Sequence, residues 1–138
     1  MPETNLERLL KAGFIHSGSW KLNDDGRAYP CVERERRAGV YVYALDGEIC
    51  YIGSAQRGLQ SRFKHYETTE RLRTAMRIRN EITPLLQAGH QVEIYTICPP
   101  AIEWKNLPID LIAGLEEGLI RNFNPKWNRR GRGRIIKV

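Results

Sequence analysis

GVYVYALDGEICYIG, residues 39–53, is the stretch that decides the fold. Two β-rich runs, Val40 to Leu45 and Ile49 to Gly53, flank Asp46-Gly47, and Asp-Gly between such runs is a strong hairpin signal. Side chains alternate across a strand, so a slip of one residue in the pairing turns every one of them to the opposite face. Val40, Val42 and Ala44 with Cys50 and Ile52 make one core face, which leaves Tyr41, Tyr43 and Tyr51 together on the other. This requires an odd loop, such as Asp46-Gly47-Glu48 with a bulge, because a two-residue turn would part Tyr41 from Tyr51. Taken alone, three tyrosines on a strand pair are cross-strand packing.

Downstream, Leu59, Phe63 and Tyr66 recur at helical spacing. A longer helix is expected over Thr69 to Glu81, and Pro84, with Thr83 as N-cap candidate, breaks it and starts another turn or two up to Gly89. Gln91 to Cys98 reads as a third strand, ended by Pro99-Pro100. A loop through Trp104 and Pro108 leads to the last strong helix, Ile109 to Phe123, which Pro125 stops. Upstream, Leu6 to Ala12 is a short helix capped by Thr4 or Asn5 and ended by Gly13. Phe14 to Leu22 is β-like up to the Asp24-Asp25-Gly26 turn. The expected fold is α+β, a small, mainly antiparallel three-stranded sheet covered by helices, with the N-terminal extension packed on it.

The chain has 138 residues, room for one domain with a single core. At 41% hydrophobic and 28% charged, it is neither fibrous nor disordered. No run reaches the roughly 18 apolar residues of a membrane helix, and MPETNLERLLKAG lacks the basic start and apolar stretch of a secretion signal. The expectation is a soluble cytoplasmic protein with no membrane partner. Cys31, Cys50 and Cys98, and His16, His65 and His90, are too scattered for a disulfide framework or a zinc site.

The net charge of +6 favours a polyanionic partner. From Arg121 onward stand seven basic residues and no acidic one: Arg121, Lys126, Arg129, Arg130, Arg132, Arg134 and Lys137. A phosphate backbone is their natural counterpart, and a solvated basic tail accounts for them equally well.

On the helix after the hairpin, Arg62 lies three residues before His65 and four before Tyr66, so the three share a surface. An arginine fork there suits a phosphate, and an imidazole or phenol beside it can hold water. An exposed amphipathic helix with Tyr66 half buried explains the same residues. In the last helix, Glu116 interrupts the apolar stripe Ile112, Leu119, Phe123, whereas Glu117 follows the polar face with Asp110, Gly114 and Arg121. A carboxylate at a core edge costs free energy unless it is paired or holds a cation. A salt bridge to an arginine and a functional role are both open for Glu116.

These separated pieces occur together in the GIY-YIG nucleases, which the chain resembles. Gly39-Val40-Tyr41 stands for GIY, Tyr51-Ile52-Gly53 is YIG, and YIGSAQRGLQSRFKHY runs on to Arg62. EEGLIRNFNPKWN then supplies Glu116, Leu119, Pro125 and Asn128. The likeness spans residues 39–128, with 1–38 as an extension and 129–138 as a basic tail.

The resemblance implies a metal-dependent DNA endonuclease that hydrolyses phosphodiesters with one divalent cation. Glu116 would bind Mg²⁺ or Mn²⁺, and Arg62 would hold the scissile phosphate. Tyr41 or Tyr51 would orient or deprotonate the attacking water. Tyr66 matches a position usually filled by Tyr or His, His65 stands one residue before it, and Asn128 would brace the site. Ser54 stands where some members carry lysine. Lys64, Lys126, Arg129, Arg130, Arg132 and Arg134 are expected along the DNA backbone. Two alternatives remain at this point: a module that binds nucleic acid without cutting it, and a nuclease subunit that needs a targeting partner. A homodimer would supply the two active sites of a double-strand cut.

Overall fold

The computed structural model describes residues 2–71 and 73–129. Helix α1 (Asn5–Lys11) starts at a capping box, in which Thr4 accepts from the Glu7 amide and Glu7 reaches back to the Thr4 amide. Strands β1 (Ile15–Leu22) and β2 (Ala28–Val32) follow as a hairpin. Strands β3 (Gly39–Leu45) and β4 (Glu48–Ala55) form the expected second hairpin. Helices α2 (Leu59–Thr68) and α3 (Arg73–Gln87) lead to β5 (Val92–Ile97). A small hairpin, β6 (Ile102–Trp104) and β7 (Leu107–Ile109), precedes α4 (Leu111–Phe123).

The main sheet has five strands in the order β2-β1-β5-β3-β4, every neighbouring pair antiparallel. Three of these make up the sheet expected from sequence, and the β-like run Phe14 to Leu22 is found as β1. The other two come from the N-terminal extension, because β1 completes the free edge of β5, from Ile15 opposite Thr96 to Ser19 opposite Glu93. Residues 15–32 are therefore part of the sheet itself. A β6–β7 pair also replaces the expected loop, closed by Lys105 and Asn106, both with positive φ.

In the central hairpin, Asp46 and Gly47 both have positive φ, so the turn is a two-residue one of the type that matches strand twist. The odd residue sits further along. The register shifts between Tyr43 and Ala44, so that Tyr43 faces Tyr51, Ala44 faces Ile49, and Cys50 is the bulged residue. The bulge delivers what the pattern demanded: Tyr41, Tyr43 and Tyr51 share one core with Trp20, Phe63 and Tyr66. It also corrects one expectation. Cys50 joins the tyrosine side, and Ile49 takes its place beside Val40, Val42, Ala44 and Ile52 on the other.

Helices cover both faces of the sheet. α1 and α4 bury Leu9 and Ile120 against the valine side. α2 and α3 bury Leu59, Phe63, Tyr66, Ala75, Ile78 and Ile82 against the tyrosine side. α3 is one continuous helix with Pro84 inside it, where a break was expected. Proline removes the bond its own amide would make to the carbonyl four residues earlier, and its ring crowds that carbonyl. Here that carbonyl belongs to exposed Asn80, where water can serve it. α4 begins at Asp110, whose carboxylate accepts from the Ala113 amide, and ends on Asn124 in the left-handed conformation, before Pro125.

Candidate active site

α2 carries Arg62, and its start is fixed from an unexpected quarter. Gly58, at φ 115°, provides no side-chain cap. The amides of Leu59 and Gln60 donate instead to the carbonyls of Arg37 (3.0 Å) and Glu35 (2.8 Å). The charged segment before the first motif thus satisfies two orphan donors and seats the helix. At its far end the buried Arg79 guanidinium of α3 donates to the Tyr66 carbonyl at 3.1 Å.

From this helix the Arg62 Nε donates to the Tyr41 hydroxyl at 3.0 Å, and the Tyr41 and Tyr66 hydroxyls lie 2.8 Å apart. The guanidinium carbon also sits 5.0 Å from the centre of the Tyr66 ring. Both tyrosines are fully buried. Burial pushes their hydroxyls well above the usual phenol range, with the neighbouring tyrosines adding to it, and Arg62 only partly offsets this. Tyr41 is thus held as a neutral phenol. The terminal nitrogens of Arg62 make no hydrogen bond among the described residues, so its fork stays open.

The motif glycines have packing reasons. A Cβ on Gly53 would overlap the Tyr41 ring and hydroxyl, and one on Gly39 would overlap the Ile97 carbonyl. Tyr41 and Gly53 are cross-strand partners, so the ring of one lies over the bare backbone of the other.

Opposite, α4 presents Glu116. Its Oε1 accepts from Ser54 Oγ at 2.7 Å, and no ion pair reaches it among the described residues. The structure therefore does not bear out the salt-bridge account. Glu117 behaves as the helical pattern predicts, in an exposed pair with Arg121. Asn128 is buried and clamps the outer edge of β4: its Oδ1 accepts from the Ile52 amide (2.9 Å) and its Nδ2 donates to the Ile52 carbonyl (2.8 Å). Asn128→Ala leaves both groups unpaired. It is expected to cost about 2 kcal/mol, seen as a lower urea midpoint with an unchanged slope.

Tyr41, Tyr51, Ser54, Arg62, Glu116 and Asn128 line one cleft of about 460 Å³. Tyr51 is nearly buried, and its hydroxyl has no hydrogen bond among the described residues. Tyr66 supports this cleft from behind, through Tyr41. His65 and Lys64 are exposed on α2 and do not line it. Lys126 pairs with Glu48 at 3.6 Å and lines an adjoining hollow. Arg129 does line the cleft, whereas Arg130, Arg132 and Arg134 lie outside the described residues.

Sequence reasoning missed Arg73, Thr74 and Arg77, which form the α3 wall. The signal was present: Arg73 and Arg77 are four residues apart and so share a helix face, beside the apolar stripe Ala75, Ile78, Ile82.

No protein-family model matches the chain, and no relative is found among curated proteins. Solved structures do match. A point mutant of bacteriophage T4 EndoII superposes with a TM-score of 0.74 at 23% identity, covering 89% of this chain and 97% of that one. Restriction endonuclease HPY188I in complex with product DNA superposes at 0.54 and 16% identity, covering 98% and 87%. The GIY-YIG N-terminal endonuclease domain of UvrC from Thermotoga maritima, bound to magnesium, covers 70% and 88% at 25% identity, with a TM-score of only 0.48. The chain therefore has the fold of phage EndoII and of the restriction enzyme, and it resembles the GIY-YIG nucleases in fold and in its ordered motifs.

Proposed function

We propose that the chain is a metal-dependent endonuclease that hydrolyses DNA phosphodiester bonds. One observation carries the reading: an arginine fork and a carboxylate oxygen, both unpaired among the described residues, share one cleft, each group held by a neighbouring hydroxyl.

The donor set fits a hard cation such as Mg²⁺ or Mn²⁺. Magnesium is commonly held by one or two carboxylates, with water and substrate phosphate completing the shell. Glu116 would hold it, oriented by Ser54. A bound divalent ion supplies Lewis-acid stabilisation of the reacting phosphate and lowers the pKa of its water.

The remaining work falls to the chain's own side chains. Arg62, pinned through Nε, presents two nitrogens to the scissile phosphate and stabilises charge on its oxygens as the transition state develops. Tyr41, as a neutral phenol, positions that arginine. Tyr51 has a hydroxyl without a hydrogen-bond partner among the described residues and is the better placed of the two to orient the attacking water. Asn128 fixes the β4 edge that carries Tyr51 and Ser54. Arg129 and the basic tail to Arg134 follow the DNA backbone.

The test is cleavage of supercoiled plasmid and of a branched DNA with Mg²⁺, Mn²⁺ or EDTA. Cutting with either metal and none in EDTA is expected. Salt-sensitive binding without cutting under any condition would replace this reading by a non-cleaving module or a subunit that lacks its targeting partner. Linear product appearing without a nicked intermediate would point to two active sites acting together, as in a homodimer.

A further inference from the structure

The cleft extends beyond the groups that hydrolysis needs. Its α3 wall brings Arg73 and Arg77, and Arg129 enters from the segment after α4. With Arg62, four guanidinium groups among the described lining residues face one carboxylate, Glu116. Arg73 and Arg129 are exposed and make no hydrogen bond or ion pair among the described residues. Arg77 is oriented by one bond, from Nη1 to the Trp127 carbonyl at 2.9 Å.

Like charges gathered without counter-charges repel one another, and an entering anion relieves that repulsion. One bidentate arginine engages both non-bridging oxygens of a phosphodiester, a role Arg62 already fills in the proposed function. The cleft adjoins two hollows. One of about 420 Å³ shares Arg73 and Arg77 and adds Glu81 but no further basic residue. The other, of about 510 Å³, shares Arg77 and Arg129 and adds Lys126, which pairs with Glu48, together with Glu81 and the apolar Leu85 and Trp127. The added basic charge lies on the Lys126 side.

We propose that Arg73, Arg77 and Arg129 form a second phosphate subsite. It takes the phosphate next to the scissile one on the same strand, which then leaves toward Lys126. This rests on the nuclease reading and adds to it a polarity: the substrate is gripped on one flank of the cut. The ligand is a nucleic-acid strand with at least two consecutive charged phosphates.

The test uses the full chain carrying Glu116→Gln, so that binding is measured without cutting. The DNA contains the site mapped from plasmid cleavage, with one phosphate at a time replaced by an uncharged methylphosphonate. With the arginines intact, replacement next to the scissile phosphate should weaken binding about tenfold on one flank only. With Arg73→Ala or Arg129→Ala added, binding starts weaker and that replacement has little further effect. The slope of log K against log salt should fall by about one for each arginine removed. Both residues are exposed, so an unchanged melting curve verifies the fold. Full additivity of arginine and phosphate losses at every position, or equal losses on both flanks, would overturn the subsite and leave the nuclease standing. Absence of both DNA binding and cleavage in the parent chain would overturn the nuclease reading itself.

Discussion

Glu116→Gln is expected to lower the rate of DNA cleavage by about a thousandfold or more while leaving the fold and the DNA affinity intact. The carboxylate is half exposed, has no ion pair among the described residues, and keeps its place through one hydrogen bond from Ser54. A glutamine oxygen can still accept that bond, though more weakly than a carboxylate, and the group is half exposed, so stability should stay within about 0.5 kcal/mol of the parent. The charge that would hold the cation is lost, and with it stabilisation that acts at the transition state. Glutamine also removes the negative charge that Glu116 brings to the described lining of a basic cleft, so DNA should bind as tightly as before or tighter. Ser54→Ala, which frees the carboxylate without neutralising it, should give an intermediate loss of about ten- to a hundredfold. Single-turnover cleavage beside filter binding separates these effects. Near-parent cleavage by the glutamine variant would remove Glu116 from the mechanism.

What was legible in the sequence was set by local rules with few solutions. The Asp46-Gly47 hairpin, the last helix and the placing of three tyrosines on one face follow from strand alternation, turn chemistry and helical period. The position of the bulge does not, because placing the extra residue at Glu48 or at Cys50 gives Tyr51 the same face. Only the packing of Ile49 on the valine side distinguishes them. Pro84 misled because part of its cost in a helix is a lost hydrogen bond, which is small where the orphaned carbonyl belongs to exposed Asn80, and the packing of α3 on the sheet outweighs the rest. Of the two added strands, β1 was legible as a β-like run but its place in the sheet was not, and β2 was not read. A β-like run announces that it is a strand, not which edge it joins, and β1 joins through residues more than seventy positions away. Local pattern is blind to partners of that kind.

The site divides in the same way. Arg62, Tyr66 and Glu116 stand out through spacing and through an interrupted stripe, and the ordered motif set names their neighbours. His65 failed for a geometric reason: it is one residue from Tyr66, about 100° around the helix, and Tyr66 is the one that faces the core. The arginines of α3 carry no motif at all. They reach the cleft through the wall they form, which exists only after α3 has packed against the sheet.

The second large effect concerns a residue without a side chain. Gly53→Ala is expected to destabilise the chain by about 3 kcal/mol and to cut activity at least about a hundredfold in the molecules that remain folded. The added methyl would overlap the ring and hydroxyl of Tyr41, which is fully buried and held between Tyr66 and Arg62. The backbone has little freedom to yield, because β4 is paired to β3 on one side and clamped by Asn128 at Ile52 on the other. Displacing the ring instead breaks the bond that aims Arg62. Either route links a stability loss to a misplaced phosphate-binding group. The same substitution at Gly114 should have the opposite sign. That glycine lies in the exposed face of α4, a methyl there meets nothing, and alanine is favoured over glycine in a helix by about 0.5–1 kcal/mol. Urea unfolding of the two variants therefore separates a steric requirement of the active site from the general effect of replacing glycine. Equal shifts in both would mean that Gly53 is not there to make room for Tyr41.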